Sequence, residues 1–527
     1  MFTGYLAIAG TRYWINKMMQ LSVSTLEHVK PAPGLTIPDE SLLALPERVL
    51  QFGTGVLLRG LPDYFIDKAN RNGVFNGRIV VVKSTSSGGT DAFTEQGGLF
   101  TQVIRGIDQG KEVNEAVINS SISRVISASD AWADVLACAH NPEMELIISN
   151  TTEVGISLLP GDDISAVPPV SFPAKLLAFL HERYRAFNGS AHRGFVIVPT
   201  ELIPDNGAKL REIVLTLAEQ NGCDASFVAW IKEANHFCSS LVDRIVPGKL
   251  SGKDLEDTVS TLGYTDDLMI MSEAFRLWAI ECTSPQAREV LSFSRTDEGV
   301  VLTDDLEKFR ELKLRLLNGT HTLSCGLSLV SGFKTVREAM EDPSMGQFIT
   351  RMAIEEIAPA IVSEKISYRE ACEFATSVFD RFRNPFLVHQ WISIAAQYTS
   401  KMKMRVVPIL VNHYRHATRP PLRIARGFAA FLLLLRLTKN EDGKYVGKLN
   451  GSPYTVQDDD AEVIASLWQK HSIDKIAAEA LKKSEYWGMD LTTLPGFAEE
   501  VGRHLEILAG RTAPNEAGQN IPIREHI

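Results

Sequence analysis

Val49-Leu50-Gln51-Phe52-Gly53-Thr54-Gly55-Val56-Leu57-Leu58-Arg59-Gly60 runs from a short strand pattern, through a turn with two glycines, into the start of a helix. The helical stretch that follows carries Leu57, Leu58, Leu61, Phe65 and Ala69 on one side. It leads to Ile79-Val80-Val81-Val82, a continuous apolar run of the kind found in parallel strands buried on both faces. Strand, glycine turn, helix and strand within about 30 residues make a βαβ unit, and hence a doubly wound α/β sheet. Leu146-Ile147-Ile148 and Phe195-Val196-Ile197-Val198 are further strands of the same type.

Past about residue 300 the β-branched runs give way to amphipathic helical patterns from Leu306 through Leu437. Asp304 and Glu307 read as a capping box opening the first of these helices. Asn450-Gly451, set between Tyr445-Val446 and Tyr454-Thr455-Val456, signals one hairpin. The expected organisation is a weakly ordered extension over 1–30, a dinucleotide-binding α/β domain over 31–298 and a mostly α-helical C-terminal domain over 299–527. A cleft between two such halves is a common place for a small-molecule site.

Composition narrows the function. In 527 residues, 54 Lys and Arg stand against 64 Asp and Glu, a net charge of −10 that disfavours nucleic acid or an anionic membrane as partner. The most apolar stretch, Gly427 to Leu435, is far short of the roughly 20 residues a bilayer demands and reads as a buried helix. MFTGYLAIAG lacks the cationic start and long apolar core of a signal peptide. Cys138, Cys223, Cys238, Cys282, Cys325 and Cys372 form no CxxC, which suggests reduced thiols in a cytoplasmic protein. The sequence leaves the choice between monomer and homo-oligomer open.

In the quoted turn, Phe52, Gly53, Thr54, Gly55, Val56 and Leu57 stand where a pyrophosphate meets backbone N–H groups and the positive end of a helix. The usual third glycine is replaced by Leu58. By itself, GxG after a strand is as compatible with an ordinary strand-to-helix turn. An acidic residue at the end of the second strand would accept the ribose hydroxyls of NAD, but Lys83-Ser84-Thr85 stands there. Either Lys83 tolerates a 2′-phosphate or Ser84, Thr85 or a more distant group holds the ribose. Asn150 and Thr151 follow the strand Leu146–Ser149, where strand ends line the crevice of an open sheet, and are placed at the nicotinamide ribose.

Lys313, Asn318 and His321 lie in one helical pattern. At about 100° per residue, Lys313 and His321 fall roughly 80° apart and Asn318 and His321 roughly 60°. That trio suits carbonyl–alcohol chemistry. A desolvated lysine exchanges a proton with the substrate oxygen, an amide donates to the developing charge, and an imidazole orients the oxygen. The alternative is a helix with one lysine reaching to solvent. His413-x2-His416 sits among basic residues that repel a cation, and no metal is expected. Ser324-Cys325-Gly326 shows no nucleophile elbow.

Gly53-x-Gly55-x-x-x-Arg59, Asn206-Gly207 in PTELIPDNG, Val242-Asp243-Arg244-Ile245, Lys313-x4-Asn318-x2-His321 and Arg381-Phe382-x-Asn384-Pro385 occur in the order seen in the mannitol dehydrogenase family, which the chain resembles. The resemblance implies a Rossmann-type domain plus a helical domain, catalysis at their interface, NAD as cofactor and no metal. It implies Lys313 as general acid/base, Asn206 and Asn318 at the oxyanion, His321 at the reacting oxygen, Asp243 near the lysine, and Arg381 as a substrate contact; His389 is a further candidate for substrate binding. QFGTGVLLRG, HNPEMELIISNTTEVGIS, FCSSLVDRIVPG, LNGTHT, DRFRNPF and YTVQDDD are similar to members acting on keto-uronates, which implies NADH-dependent reduction of D-tagaturonate to D-altronate. Fructuronate or a polyol is the alternative substrate, and a metal-dependent epimerase of keto-uronates is an alternative of another class. Polyol-acting members carry Asp-Asn where Glu201-Leu202 stands here, which points away from mannitol. A uronate carboxylate needs a cation, and Arg383 and Lys401 are the candidates.

Overall fold

A computed structural model describes residues 18–84, 89–151, 154–449 and 451–512. The chain divides into two compact units, one of residues 1–106 and 112–306, the other of residues 107–111 and 307–527.

The first unit is built on a six-stranded parallel sheet. Its strands are β1 (Glu47–Phe52), β2 (Arg78–Lys83), β3 (Ile122–Ser127), β4 (Leu146–Ser149), β5 (Val196–Pro199) and β6 (His236–Phe237). Their spatial order, β3-β2-β1-β4-β5-β6, is that of a dinucleotide-binding doubly wound sheet. Because side chains alternate along a strand, each continuous apolar run feeds two cores. Leu50, Phe52, Val80, Val82 and Ile147 point into one core, with helices α3 (Phe172–Ala186), α4 (Asn206–Gln220) and α5 (Ala225–Ala234). Val49, Ile79, Val81 and Ile148 point into the other, with Phe65, Ile66 and Ala69 of the helix over Pro62–Arg71. Both faces are covered, as the uninterrupted apolar runs require.

The helix after β1 is broken in two. The first piece, α1 (Val56–Gly60), stops at Leu61, and Pro62 opens α2 (Pro62–Arg71). Proline has no N–H to give to the preceding turn, so it starts a helix rather than continuing one.

Two boundaries differ from the sequence reading. Val300–Thr303 pairs with Leu277–Glu281, which pairs in turn with Ser240–Asp243, so this stretch belongs to the first unit. The division therefore falls after Leu306, and the first helix of the second unit opens at Glu307. Asp304 is bonded to Arg288 at 2.7 Å instead of closing a capping box. Residues 18–30 are not a loose extension. Met19–Gln20 pairs with Tyr264–Thr265, and Leu21 and Leu26 are buried.

The second unit is helical around one large core. Helix α6 (Thr320–Val330) crosses α8 (Leu422–Leu434) through two glycines, and α7 (Tyr368–Phe382) and α9 (Phe497–Thr512) complete the main helices. A Cβ on Gly326 would lie 2.8 Å from the backbone of Ala430, and one on Gly427 2.8 Å from the Leu323 carbonyl oxygen. The apolar Gly427–Leu435 stretch is thus core. No described helix is long and apolar enough to cross a membrane. The Asn-Gly hairpin forms between Tyr445–Leu449 and Ser452–Thr455, with Gly451 at φ 79°; Asn450 lies outside the described residues.

Candidate active site

The sheet reverses its order between β1 and β4, and the crevice of such a sheet opens at the carboxyl ends of those strands. Phe52 stands beside Ser149 in register. The Gly53 N–H donates to the Val82 carbonyl at 3.0 Å, and the Asn150 N–H to the Phe52 carbonyl at 3.1 Å. Gly53 has φ +127°, and a Cβ there would sit 2.8 Å from the Asn150 oxygen and 2.9 Å from Leu58 Cδ1. Leu58, in the place of the usual third glycine, is a buried packing residue. Gly55 differs. Its backbone is extended (φ −63°, ψ 155°) and a Cβ there meets nothing within 4 Å. Open space beside a backbone that leads into a helix is the cradle a pyrophosphate requires.

Around that turn, the residues expected at the cofactor fall into two groups. Lys83, at the end of β2, is buried, and its carbonyl accepts from the Ala128 N–H at 2.9 Å. The Ser84 hydroxyl is buried without a hydrogen-bond partner, a ready donor to a ribose oxygen. Thr85 lies outside the described residues. Asn150 and Thr151, by contrast, are tied inward. Asn150 Nδ2 donates to Thr200 Oγ1 at 3.0 Å, and the Thr151 N–H and hydroxyl donate to Glu201 at 2.9 and 3.0 Å. Glu201 also accepts from the Ser149 hydroxyl, and its burial raises its pKa against those bonds. The pair stiffens the strand ends of β4 and β5.

Asn206 overturns the oxyanion expectation. It is fully buried, and Nδ2 donates to the Pro199, Glu201 and Ser240 carbonyls at 3.0 to 3.1 Å. Its Oδ1 accepts from the Gly207 and Ser240 N–H groups, each at 2.9 Å. No N–H is left for a substrate, so Asn206 is a clamp holding the 199–201 turn to Ser240. Asp243 is buried at the end of Ser240–Asp243, followed by Arg244, which donates to the Gly60 and Glu273 carbonyls.

In the second unit the decisive departure is the helix itself. Leu312–Gly319 is π-helical. Its hydrogen bonds run from residue i to i+5, so each residue turns through less than the 100° assumed above. Lys313 and Asn318 are five apart, and the smaller turn per residue brings them closer around the axis than the about 140° of an α-helix. Both are half-buried. Arg315 braces the segment, binding Glu311 through both carboxylate oxygens (2.9 and 2.8 Å) and reaching the Met404 carbonyl in a second π segment, Met402–Val406.

His321 follows in α6, walled by aromatic rings. Phe382 stacks on it at 4.0 Å between centroids, and His389 and Trp391 meet it edge-on at 5.0 and 6.0 Å. It is 9% exposed, and Nε2 has no hydrogen-bond partner. Burial, then the charges of His389, Arg381, Arg405 and Lys401, hold its pKa well below the usual value, so the ring is neutral. Burial, then Arg381 and Lys401, likewise lowers His389. The Thr322 hydroxyl donates to the Asn318 carbonyl at 2.7 Å and accepts from Arg405 Nη1 at 3.1 Å, tying the π segment to that arginine. Lys401 Nζ donates to the Ile394 carbonyl at 2.9 Å, and burial and Arg405 lower its pKa.

The structure thus gathers Arg381, His389 and Lys401 about His321 and adds Arg405, which sequence reasoning missed. Arg383 is not among them: it is exposed and caps the C-terminus of α7. His413 Nε2 is bonded to the Arg419 carbonyl at 2.9 Å, and no group of metal-ligating side chains occurs among the described residues.

A dinucleotide-type sheet with an open glycine turn, accompanied by a neutral imidazole among cations, defines the class: an oxidoreductase acting on CH–OH groups. The chain belongs to the mannitol dehydrogenase family. Residues 47–291 match the mannitol dehydrogenase Rossmann domain and residues 305–509 its C-terminal domain. It is 36% identical over 471 residues to altronate oxidoreductases of Shigella flexneri and Escherichia coli, covering 88% of this chain and 94% of each relative. Among solved structures it resembles Pseudomonas fluorescens mannitol 2-dehydrogenase in ternary complex with NAD and D-mannitol (TM-score 0.64, 23% identity, 93% of this chain and 97% of that one). It also resembles a substrate-free D-sorbitol dehydrogenase (TM-score 0.72, 19% identity, 93% and 98%).

Proposed function

We propose that this enzyme reduces D-tagaturonate to D-altronate with NADH. The observation that carries the reading is the cationic set Arg381, Lys401 and Arg405, with His389, around the unpartnered Nε2 of His321. A polyol offers such a set nothing to pair with, whereas a uronate carboxylate does. The altronate oxidoreductases at 36% identity support the same substrate.

The Gly53–Gly55 turn and the Ser84 hydroxyl fit a dinucleotide, which when bound supplies the hydride. Lys313 then gives its proton to the carbonyl oxygen as charge develops there, and takes it back in the reverse direction. Asn318 donates its amide N–H to the same oxygen. His321 is neutral, so Nε2 orients that oxygen by a hydrogen bond without adding to the positive charge of Arg381, Arg405 and Lys401. Arg405, held by Thr322, takes the carboxylate with Lys401.

Purified protein given NADH and D-tagaturonate oxidises the cofactor. Lys313→Ala lowers kcat by about 10²–10⁴ while NADH binding, followed by fluorescence, is retained. Unchanged turnover in that variant rules out the lysine mechanism.

A further inference from the structure

Beyond the reaction, the first unit holds a pair of thiols that the proposed mechanism does not use. Ser240–Asp243 and Leu277–Glu281 run antiparallel with Ser240 opposite Ile280 and Leu241 opposite Ala279. The ladder continues backward, for the Glu281 N–H donates to the Ser239 carbonyl at 2.8 Å. One step further, the same register sets Cys238 opposite Cys282. The Cys282 N–H points the other way, to the Thr303 carbonyl at 2.8 Å, so Cys238 and Cys282 form a non-hydrogen-bonded pair. In such pairs the Cα atoms lie about 4.5 Å apart with the side chains on one face, inside the 4.4–6.8 Å range that a disulfide spans. Both thiols are buried, and Cys282 Sγ lies 3.7 Å from the Ser284 carbonyl oxygen. Two residues further along, His236 and Ser284 are half-buried, with Ser284 Oγ 3.4 Å from His236 Nε2, so the thiols lie close to a partly exposed rim.

We propose that Cys238 and Cys282 form a dithiol site that a peroxide oxidises to an intramolecular disulfide. The neighbouring Cys238 thiol, opposed by burial and helped by the charge of Arg288, brings the Cys282 thiol down to about 7. That makes Cys282 the attacking sulfur. Its thiolate attacks one peroxide oxygen, the O–O bond breaks, and the hydroxide released takes a proton to leave as water, giving a sulfenic acid on Cys282. The Cys238 sulfur then attacks the Cys282 sulfur. The S–S bond forms, the S–O bond breaks, and the hydroxide leaves with the Cys238 proton as a second water. Two electrons pass from the two sulfurs to the peroxide.

The test treats the folded, full-length protein with hydrogen peroxide, blocks remaining thiols, and maps peptides by mass. The expected product is one linked pair of peptides carrying Cys238 and Cys282, two hydrogens lighter than the free pair and released by dithiothreitol. The half-buried Cys223 and Cys372 are internal controls. Oxidation at those two with Cys238 and Cys282 still free overturns the proposal, as does separate oxidation of Cys238 and Cys282 to sulfinic acids without a link. In Cys238→Ser, dimedone traps the sulfenic acid on Cys282. Failure to trap it in a variant whose circular dichroism matches the parent overturns the assignment of the attacking sulfur.

Discussion

At the residue scale the site is a contest between burial and charge. His321 loses its charge because burial, the neighbouring His389 and the cations Arg381, Arg405 and Lys401 act in the same direction. The helical segment that carries Lys313, Asn318 and His321 was legible in the sequence from its periodicity. Arg405 was not legible, because a basic residue four after Lys401 in SKMKMR reads as a solvated surface, and only the fold turns it toward Thr322. Asn206 misled for the opposite reason: an amide beside a glycine looks available until its five hydrogen bonds are seen. If Arg405 pairs the carboxylate, Arg405→Gln raises KM for the keto-uronate by about 10- to 100-fold with a smaller effect on kcat, as loss of one charged hydrogen bond predicts. Steady-state kinetics with an uncharged ketose, unaffected by the change, is the control.

Asp63 gives a prediction about stability. Its first-turn position in α2 favours an anion, but burial outweighs the helix end and brings its pKa up to about 8. Gln51 Nε2 stands 3.4 Å from Oδ2, and Oδ1 has no partner. The folded protein therefore keeps a proton that the unfolded chain releases near 3.8. Stability is full below that value and falls as pH rises toward 8, by about 1.4 kcal/mol per pH unit where the slope is steepest. Asp63→Asn removes this slope, which denaturant midpoints at pH 5 and pH 8 will show as a smaller difference than in the parent.

At the scale of elements, the two glycines of the β1–α1 turn do different jobs. Gly53→Ala forces a Cβ against the Asn150 oxygen at positive φ and costs about 1–3 kcal/mol of stability. Gly55→Ala leaves stability unchanged, because its backbone suits any residue, but its methyl occupies the phosphate space and weakens NADH binding at least about tenfold. Fluorescence titration and chemical denaturation separate the two effects. The strands β1, β2, β4 and β5 were legible from their apolar runs, whereas β6 is a two-residue element that no periodicity marks. The π segment was likewise invisible. Its register comes from Arg315 and the second π segment, contacts made across about ninety residues of chain.

At the scale of the whole molecule, the two-part organisation follows from composition: β-branched runs before residue 300 and helical periodicity after it. The boundary shifted because Val300–Thr303 is an edge strand whose partner, Leu277–Glu281, lies upstream. Pairing of that kind is a property of the folded sheet, not of local sequence. The family matches cover both parts, the dinucleotide-type sheet and the helical unit that gathers cations about His321. The central claim is that this cationic cluster reads a carboxylate. It is tested most directly by kcat/KM, with NADH, for D-tagaturonate against the same ketose bearing a hydroxymethyl group in place of the carboxylate. A preference of roughly 30-fold to 10³-fold for the uronate is predicted from the loss of a buried charge pair. Equal values, or a preference for the uncharged sugar, would contradict it.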